Sequence, residues 1–438
     1  MRKKHFLFAS VLALLCGSSA LHAQDFKLTS SGYFKNQGVD IMAFDDIYPE
    51  GHQGGVCIIM NGHRVATNGD IRLEATPGQW QPVPKQLDRK LGDNSITATL
   101  CYPDSSRHLT GFNPMIYPDL HLIYTVNVES KGKNIEVTVD LDRPIPQEFI
   151  GKVGFNLEFF PGSLFGKPWI MDGQSGIFPQ QPNSPLMTTQ PNYLHTGNYH
   201  DGKQSLADMD KLIGKGYSPI VADDIISEPY AKGRKFTSRP DDPYNKVTIE
   251  SLSGDLQLFD GRMNHNNGWF VLRSNIKPGV TKGAVKWIIT PNVVADWMYQ
   301  PVIQTSQIGY HPAQDKEAVI EMDIRDNRKE TAQIIRIDAD GEKVVKNVTP
   351  ANWGKFLRYN YLKVDFTDVK EPGLYKIKYD TSVSPIFRID NDVYARGVWQ
   401  PVLEYFLPVQ MCHMRVNEKY RVWHDCCHMD DAQMAPAH

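Results

Sequence analysis

At 438 residues, 41% of them hydrophobic, the chain can bury the cores of about two to four domains, which excludes an intrinsically disordered protein. Its 47 basic and 50 acidic residues give a formal charge of -3, and no basic cluster follows the first few residues, so nothing attracts a nucleic-acid backbone. Abundant Gly (33) and Pro (29), with 11% aromatic residues, point to short strands joined by turns rather than to long helices.

Arg2, Lys3 and Lys4 precede an apolar run at 6–15 and then small residues, the layout of a secretory signal peptide over 1–23, cleaved after Ala23 or Ala20. A lipid-anchored alternative centred on Cys16 is weaker, because Leu14 and Leu15 stand where that signal wants small residues. No later run is apolar for about eighteen residues, so no membrane span is expected. The expected location is outside the cytoplasm, periplasmic or extracellular.

Over 24–300 apolar and polar residues alternate at the two-residue period of half-buried strands. The clearest case places Ile135, Val137, Val139 and Leu141 on one face and Glu136, Thr138, Asp140 and Asp142 on the other. Similar signals run through 120–126, 154–160, 256–259, 269–272 and 285–289. The fold class expected is mainly β, with a large N-terminal β-sandwich here, or two smaller ones. Residues 174–245 break the pattern, and Tyr193, His195, Tyr199, His200 and Tyr217 offer either an aromatic surface that stacks on sugar rings or a loop packed on its own sandwich.

The next unit, 301–392, has the size of an immunoglobulin-like sandwich. Strand signals fall at 317–324, 333–337, 361–366, 374–379 and 386–389, with turns at Asp340-Gly341 and Pro372-Gly373. Tyr375, Ile377 and Tyr379 alternate with Lys376 and Lys378, so one face is expected to be buried and the other wet. From 394 to 411 the spacing turns helical, through Val398, Val402, Tyr405, Phe406 and Val409, with Pro401 and Pro408 limiting its regularity. The dipeptides Cys412-His413 and Cys427-His428 then offer two thiolates and two imidazoles, a donor set that suits tetrahedral Zn²⁺ but lacks zinc-finger spacing. In an exported protein a disulfide from Cys412 to Cys426 or Cys427 is the rival reading. Without Cys16 the remaining cysteines are Cys57, Cys101, Cys412, Cys426 and Cys427, an odd number that cannot pair completely. If Cys412 and Cys427 hold metal, Cys57 and Cys101 are free to pair or not and Cys426 is left as a buried thiol; free thiols throughout are the third reading.

Several of these pieces carry a resemblance. Gln307-Ile308-Gly309-Tyr310-His311-Pro312, Lys316, Trp353-Gly354, Val364-Asp365-Phe366, Pro372-Gly373-Leu374-Tyr375 and Ser384-Pro385-Ile386-Phe387-Arg388-Ile389 occur in the order and spacing of an immunoglobulin-like module. That module precedes the catalytic domain in many glycoside hydrolase family nine glucanases. The segment 393–438 is similar to the start of that family's α/α barrel, here only its first helix, in which an aromatic pair such as Tyr405-Phe406 is followed by a cysteine such as Cys412. The resemblance implies a structural zinc on Cys412, His413, Cys427 and His428, as in several bacterial members.

The same resemblance implies inverting hydrolysis of β-1,4-glucosidic bonds, with an Asp base in an Asp-Ala-Gly-Asp motif and a distant Glu acid. No Asp-Ala-Gly-Asp occurs, and the chain stops at His438, ten residues after His428, so no catalytic residue is assigned. Asp430 and Asp431 are adjacent and do not straddle a sugar with water between them. A phosphate loop, a Gly-x-Ser-x-Gly elbow and a dinucleotide fingerprint are also missing. The expectation is the non-catalytic front part of a secreted cellulase-like or xyloglucanase-like β-glucan hydrolase. Its implied partner is plant β-glucan polysaccharide and its implied complete form a monomer; the alternative is a polysaccharide-binding or spacer protein. An uncovered barrel-facing surface is expected around Trp399, Tyr405 and Phe406.

Overall fold

A computed structural model describes residues 25–45, 54–74, 76–77, 84–102, 120–184, 227–263, 268–395 and 397–403, together with the backbone of 413–418 and 421–425. The chain divides into two compact units, Met1–Trp297 and Met298–His438.

In the first unit the strands follow in chain order as β1 (Lys27–Leu28), β2 (Phe34–Asn36), β3 (Val39–Ala43), β4 (Val56–Met60), β5 (His63–Leu73), β6 (Lys85–Leu91), β7 (Ser95–Cys101), β8 (Ile123–Lys131) and β9 (Asn134–Leu141). They continue as β10 (Val153–Phe159), β11 (Pro168–Met171), β12 (Gln174–Ile177), β13 (Ala231–Gly233), β14 (Lys235–Ser238), β15 (Val247–Ser251), β16 (Leu256–Asp260), β17 (Phe270–Asn275) and β18 (Val285–Pro291). Among the described residues these form two nine-stranded sheets, β1-β2-β3-β4-β5-β10-β17-β16-β13 and β12-β11-β14-β15-β18-β9-β8-β7-β6. The sequence read 174–245 as a break; β12, β13 and β14 are short strands inside it, and the aromatic group from Tyr193 to Tyr217 lies outside the described residues.

One core joins the two sheets. Along β9 the alternation holds, with Ile135, Val137, Val139 and Leu141 buried and Glu136, Thr138 and Asp140 partly exposed. Trp287 of β18 meets Phe155 of β10 edge to face at 5.0 Å, and its indole Nε1 donates to Ser274 Oγ at 3.1 Å, so its one polar atom is satisfied inside the core.

The second unit holds β19 (Val302–Gln304), β20 (Glu317–Asp323), β21 (Ala332–Asp338), β22 (Gly341–Val348), β23 (Ala351–Phe356), β24 (Tyr359–Asp365), β25 (Gly373–Tyr379), β26 (Ser382–Val383) and β27 (Phe387–Ile389). A four-stranded sheet, β19-β20-β24-β23, faces a five-stranded one in which β22-β21-β25-β26 is extended by β27 on β25. Ile320, Leu362 and Val364 of the first meet Ile334, Tyr375 and Ile377 of the second in a shared core. The mainly β fold class read from the sequence is what the structure has.

The Gly309-Tyr310 step closes this sandwich. Tyr310 N donates to Arg388 O at 2.8 Å and Asp390 N to Tyr310 O at 3.1 Å, while the Tyr310 ring packs on Phe366 and Phe387. Gly309 has φ 93°, and a Cβ there would overlap the Arg388 carbonyl oxygen, so the close approach requires glycine. Lys316 is buried with Nζ donating to the carbonyls of Pro312 and Gln314, both at 2.9 Å. Burial pulls its ammonium pKa below the usual lysine value.

Beyond β27 the described helical structure is a single turn at 400–403, where Leu403 N donates to Trp399 O at 3.0 Å. Residues 404–412, which carry the rest of the predicted helix, lie outside the described residues. A two-stranded hairpin, β28 (His413–Glu418) with β29 (Arg421–Asp425), follows.

Candidate functional site

Two groups of side chains in the described residues have the chemistry of a site, and neither is among the predicted ones. The first lies on β5, β10 and β17. Along β10, Phe155, Leu157 and Phe159 enter the core, so Asn156 and Glu158 take the opposite face, yet both are buried. Arg273 of β17 donates through Nη1 to Glu74 Oε1 at 3.2 Å and to Asn156 Oδ1 at 3.0 Å, through Nη2 to Glu74 O at 2.8 Å, and through Nε to Asn275 Oδ1 at 2.7 Å. Asn156 Nδ2 in turn donates to Glu74 Oε1 at 2.6 Å. Nearby, Tyr124 OH donates to Asp70 Oδ1 at 2.9 Å, and Arg72 Nε is buried without a hydrogen-bond partner among the described residues.

Burial dominates the electrostatics of this cluster. Loss of water pushes Glu74 up to about 7 against the opposing pull of Arg273 and Arg72. The same desolvation lifts Asp70 to about 6, with Arg72, the Ile71 amide and the Tyr124 hydroxyl working the other way. A buried, nearly satisfied network of this kind fixes the register of three central strands.

The second group lies on the face of the β19-β20-β24-β23 sheet turned away from its core. Leu362 and Val364 point inward, which places Tyr359, Tyr361 and Lys363 outward. Glu321 sits directly across from Tyr361. It accepts from Tyr299 OH at 3.0 Å through Oε1 and from Tyr361 OH at 3.3 Å through Oε2. Burial, followed by Glu321, raises the pKa of both phenols, which keeps them as donors.

Trp353 completes this face from edge strand β23. The register slips between Asn352 and Gly354, leaving Trp353 as the extra residue of a β-bulge, and Gly354 takes φ 125°. Trp353 is 58% exposed and meets Tyr361 at 5.6 Å between ring centroids. Tyr361 and Tyr359 follow at 6.1 Å, and Tyr359 and Tyr299 at 5.2 Å. The signal for this group was present as Trp353-Gly354 and as alternating tyrosines in β24, but a bulge shifts the two-residue period and hides which face Trp353 joins.

Of the predicted metal ligands, His413 opens β28 opposite Asp425 of β29, and Cys412, Cys427 and His428 lie outside the described residues. Among the described residues no group of three or more His, Cys, Asp or Glu is placed to hold a metal. Cys57 is buried on β4, with its sulfur 3.1 Å from Gly54 O and 3.0 Å from Thr67 Oγ1. Cys101 ends β7 in the other sheet, and the two sulfurs are not joined, so the pairing considered from the sequence is not made. Trp399 is 56% exposed, beside exposed Val402 and Leu403, whereas Tyr405, Phe406, Asp430 and Asp431 lie outside the described residues.

Residues 298–384, which carry the Gly309-Tyr310 closure and the Trp353 bulge, match the family model of the cellulase N-terminal immunoglobulin-like domain. The second unit carries the cellulase-type module. Over that segment the chain is cellulase-related, similar to the immunoglobulin-like domain found N-terminally in cellulases. Among solved structures, a metagenome-derived glycoside hydrolase family nine endoglucanase is 26% identical, with TM-score 0.23, over 29% of this chain and 25% of that one. A family nine glycoside hydrolase of Bacteroides ovatus is also 26% identical, with TM-score 0.18, over 22% of this chain and 16% of that one. The chain thus spans a quarter or less of the length of either protein. No curated protein matches it. Among the described residues no helix is long and apolar enough to cross a membrane.

Proposed function

We propose that this chain is the exported, non-catalytic front part of a family nine β-glucan hydrolase, acting on a cellulose-like or xyloglucan-like polysaccharide. The observation that carries the reading is the cellulase-type module at 298–384, a domain whose described position is N-terminal in cellulases. The basic-apolar-small order of the first 23 residues supports export. The chemistry is assigned to a barrel in the longer protein, since this sequence has no Asp-Ala-Gly-Asp motif.

Cys412, His413, Cys427 and His428 are proposed to hold one Zn²⁺. Two thiolates and two imidazoles fit the ion's tetrahedral preference, and β28 pairs with β29 so that His413 stands across from Asp425, two residues before Cys427. With four protein ligands the ion would be structural, tying two chain segments together.

Reading the natural coding sequence past His438 tests the assignment. An α-helical barrel with an Asp-Ala-Gly-Asp motif and a distant Glu is expected; a different downstream domain, or none, would contradict it.

A further inference from the structure

We propose that the outer face of the β19-β20-β24-β23 sheet is a binding site for a single neutral β-glucan chain, with Trp353 as its anchor. The inference rests on the reading of the protein as part of a glucan hydrolase and adds a ligand site to the cellulase-type module.

Three observations carry it. Four aromatic rings, Trp353, Tyr361, Tyr359 and Tyr299, run contiguously across one face at centroid separations of 5.6, 6.1 and 5.2 Å. Sugar rings present C–H faces to such aromatic surfaces. A β-bulge at the sheet edge, with Gly354 in a conformation that favours glycine, brings Trp353 onto this face while leaving it exposed. A large aromatic side chain held out of the core by a special backbone arrangement contributes little to the module's own packing.

The third observation is charge. Glu321 uses one acceptor position on each oxygen for a tyrosine hydroxyl, and a carboxylate has about four such positions, so two remain for the ligand. Among the described residues no Lys or Arg forms an ion pair with Glu321; Lys363, further along the face, is engaged by Glu317 at 2.7 Å. The strip therefore carries acceptor capacity and a negative charge at its centre. That complements the hydroxyl donors of a neutral glucan and repels a polyuronate.

Ring orientation narrows the ligand. Trp353 lies at 87° to Tyr361, Tyr361 at 66° to Tyr359, and Tyr359 at 53° to Tyr299. Such a ladder is twisted, so it does not form the flat platform that a crystalline polysaccharide surface needs. It leaves exposed Trp353 as the stacking face for one soluble chain, with the tyrosines beside it.

The test is calorimetric titration of the full 438-residue chain with cellohexaose, and affinity electrophoresis in soluble mixed-linkage β-glucan, with polygalacturonate as control. Binding to both glucans and none to polygalacturonate is expected. Trp353→Ala should weaken it at least about tenfold, the size of one stacking contact, while Trp353→Phe retains most of it. Glu321→Gln, which removes the charge and keeps an amide oxygen to accept from one of the two tyrosine hydroxyls, should weaken it less and admit polygalacturonate. No glucan binding by the unaltered chain would overturn the proposal. So would binding unchanged in Trp353→Ala, or self-association of the chain that Trp353→Ala abolishes. Any of these leaves the hydrolase assignment standing, because that depends on what the natural reading frame encodes past His438.

Discussion

Glu74 and Arg273 show how a charge survives inside the first sandwich. Each is almost wholly buried, and Asn156 and Asn275 take up further donors and acceptors around the pair. Arg273→Met leaves Glu74 buried opposite an apolar side chain, and a loss of about 3–5 kcal/mol is expected in urea unfolding. The pH dependence follows from the direction of the shift. Burial raises Glu74 from 4.5 to about 7, so between those values the native state holds a proton that the unfolded chain has released, and stability falls as pH rises through that window. In melting curves recorded from about pH 5 to pH 8, the unaltered chain should lose stability relative to Glu74→Gln, which keeps the amide contacts without titrating. Parallel curves would show that Glu74 titrates as an ordinary carboxyl. At Gly309, with φ 93° and the Arg388 carbonyl against it, Gly309→Ala should cost about 2–3 kcal/mol by thermal unfolding, whereas an exposed turn glycine such as Gly151 should tolerate the change better.

Strands with one wet face were legible in the sequence because the two-residue period is itself the signature of one-sided burial. β9 and β25 follow it residue by residue. β10 has the same alternation, Phe155, Leu157 and Phe159 against Asn156 and Glu158, but both sets are buried. Alternation reports which face is apolar and carries no information about what covers the other. The Cys57 and Cys101 pairing was open for a related reason, since sequence does not say how closely two strands approach. Trp353 was legible only as part of a family motif, because its bulge puts two residues of β23 against one of β24. At this element, Gly354→Ala forces a side chain into φ 125°; a loss of about 1–3 kcal/mol is expected from denaturant titration, with Trp fluorescence shifting as the bulge rearranges. An unchanged midpoint and emission would mean that the bulge does not depend on glycine.

For the whole molecule, the mainly β architecture and the cellulase-type module were readable because their signals are local: short strands, turn residues and one closing Gly-Tyr step. The proposed zinc ligands were readable only as a donor set, since sequence does not say which segments folding brings together. Metal analysis of the purified chain should give about one zinc per molecule, and Cys412→Ser or Cys427→Ser should abolish it. A metal-free chain with Cys412 bonded to Cys427 in non-reducing mass spectrometry would replace the zinc by a disulfide. The central claim is that this chain fronts an inverting glucan hydrolase. It is tested most directly by proton NMR of cellohexaose treated with the polypeptide extended through the natural reading frame beyond His438, beside the 438-residue chain. The extended protein should release products that first appear as the α-anomer, and the shorter chain should release none. β-Anomer first, no cleavage by the extended protein, or cleavage by the 438-residue chain alone would contradict the account.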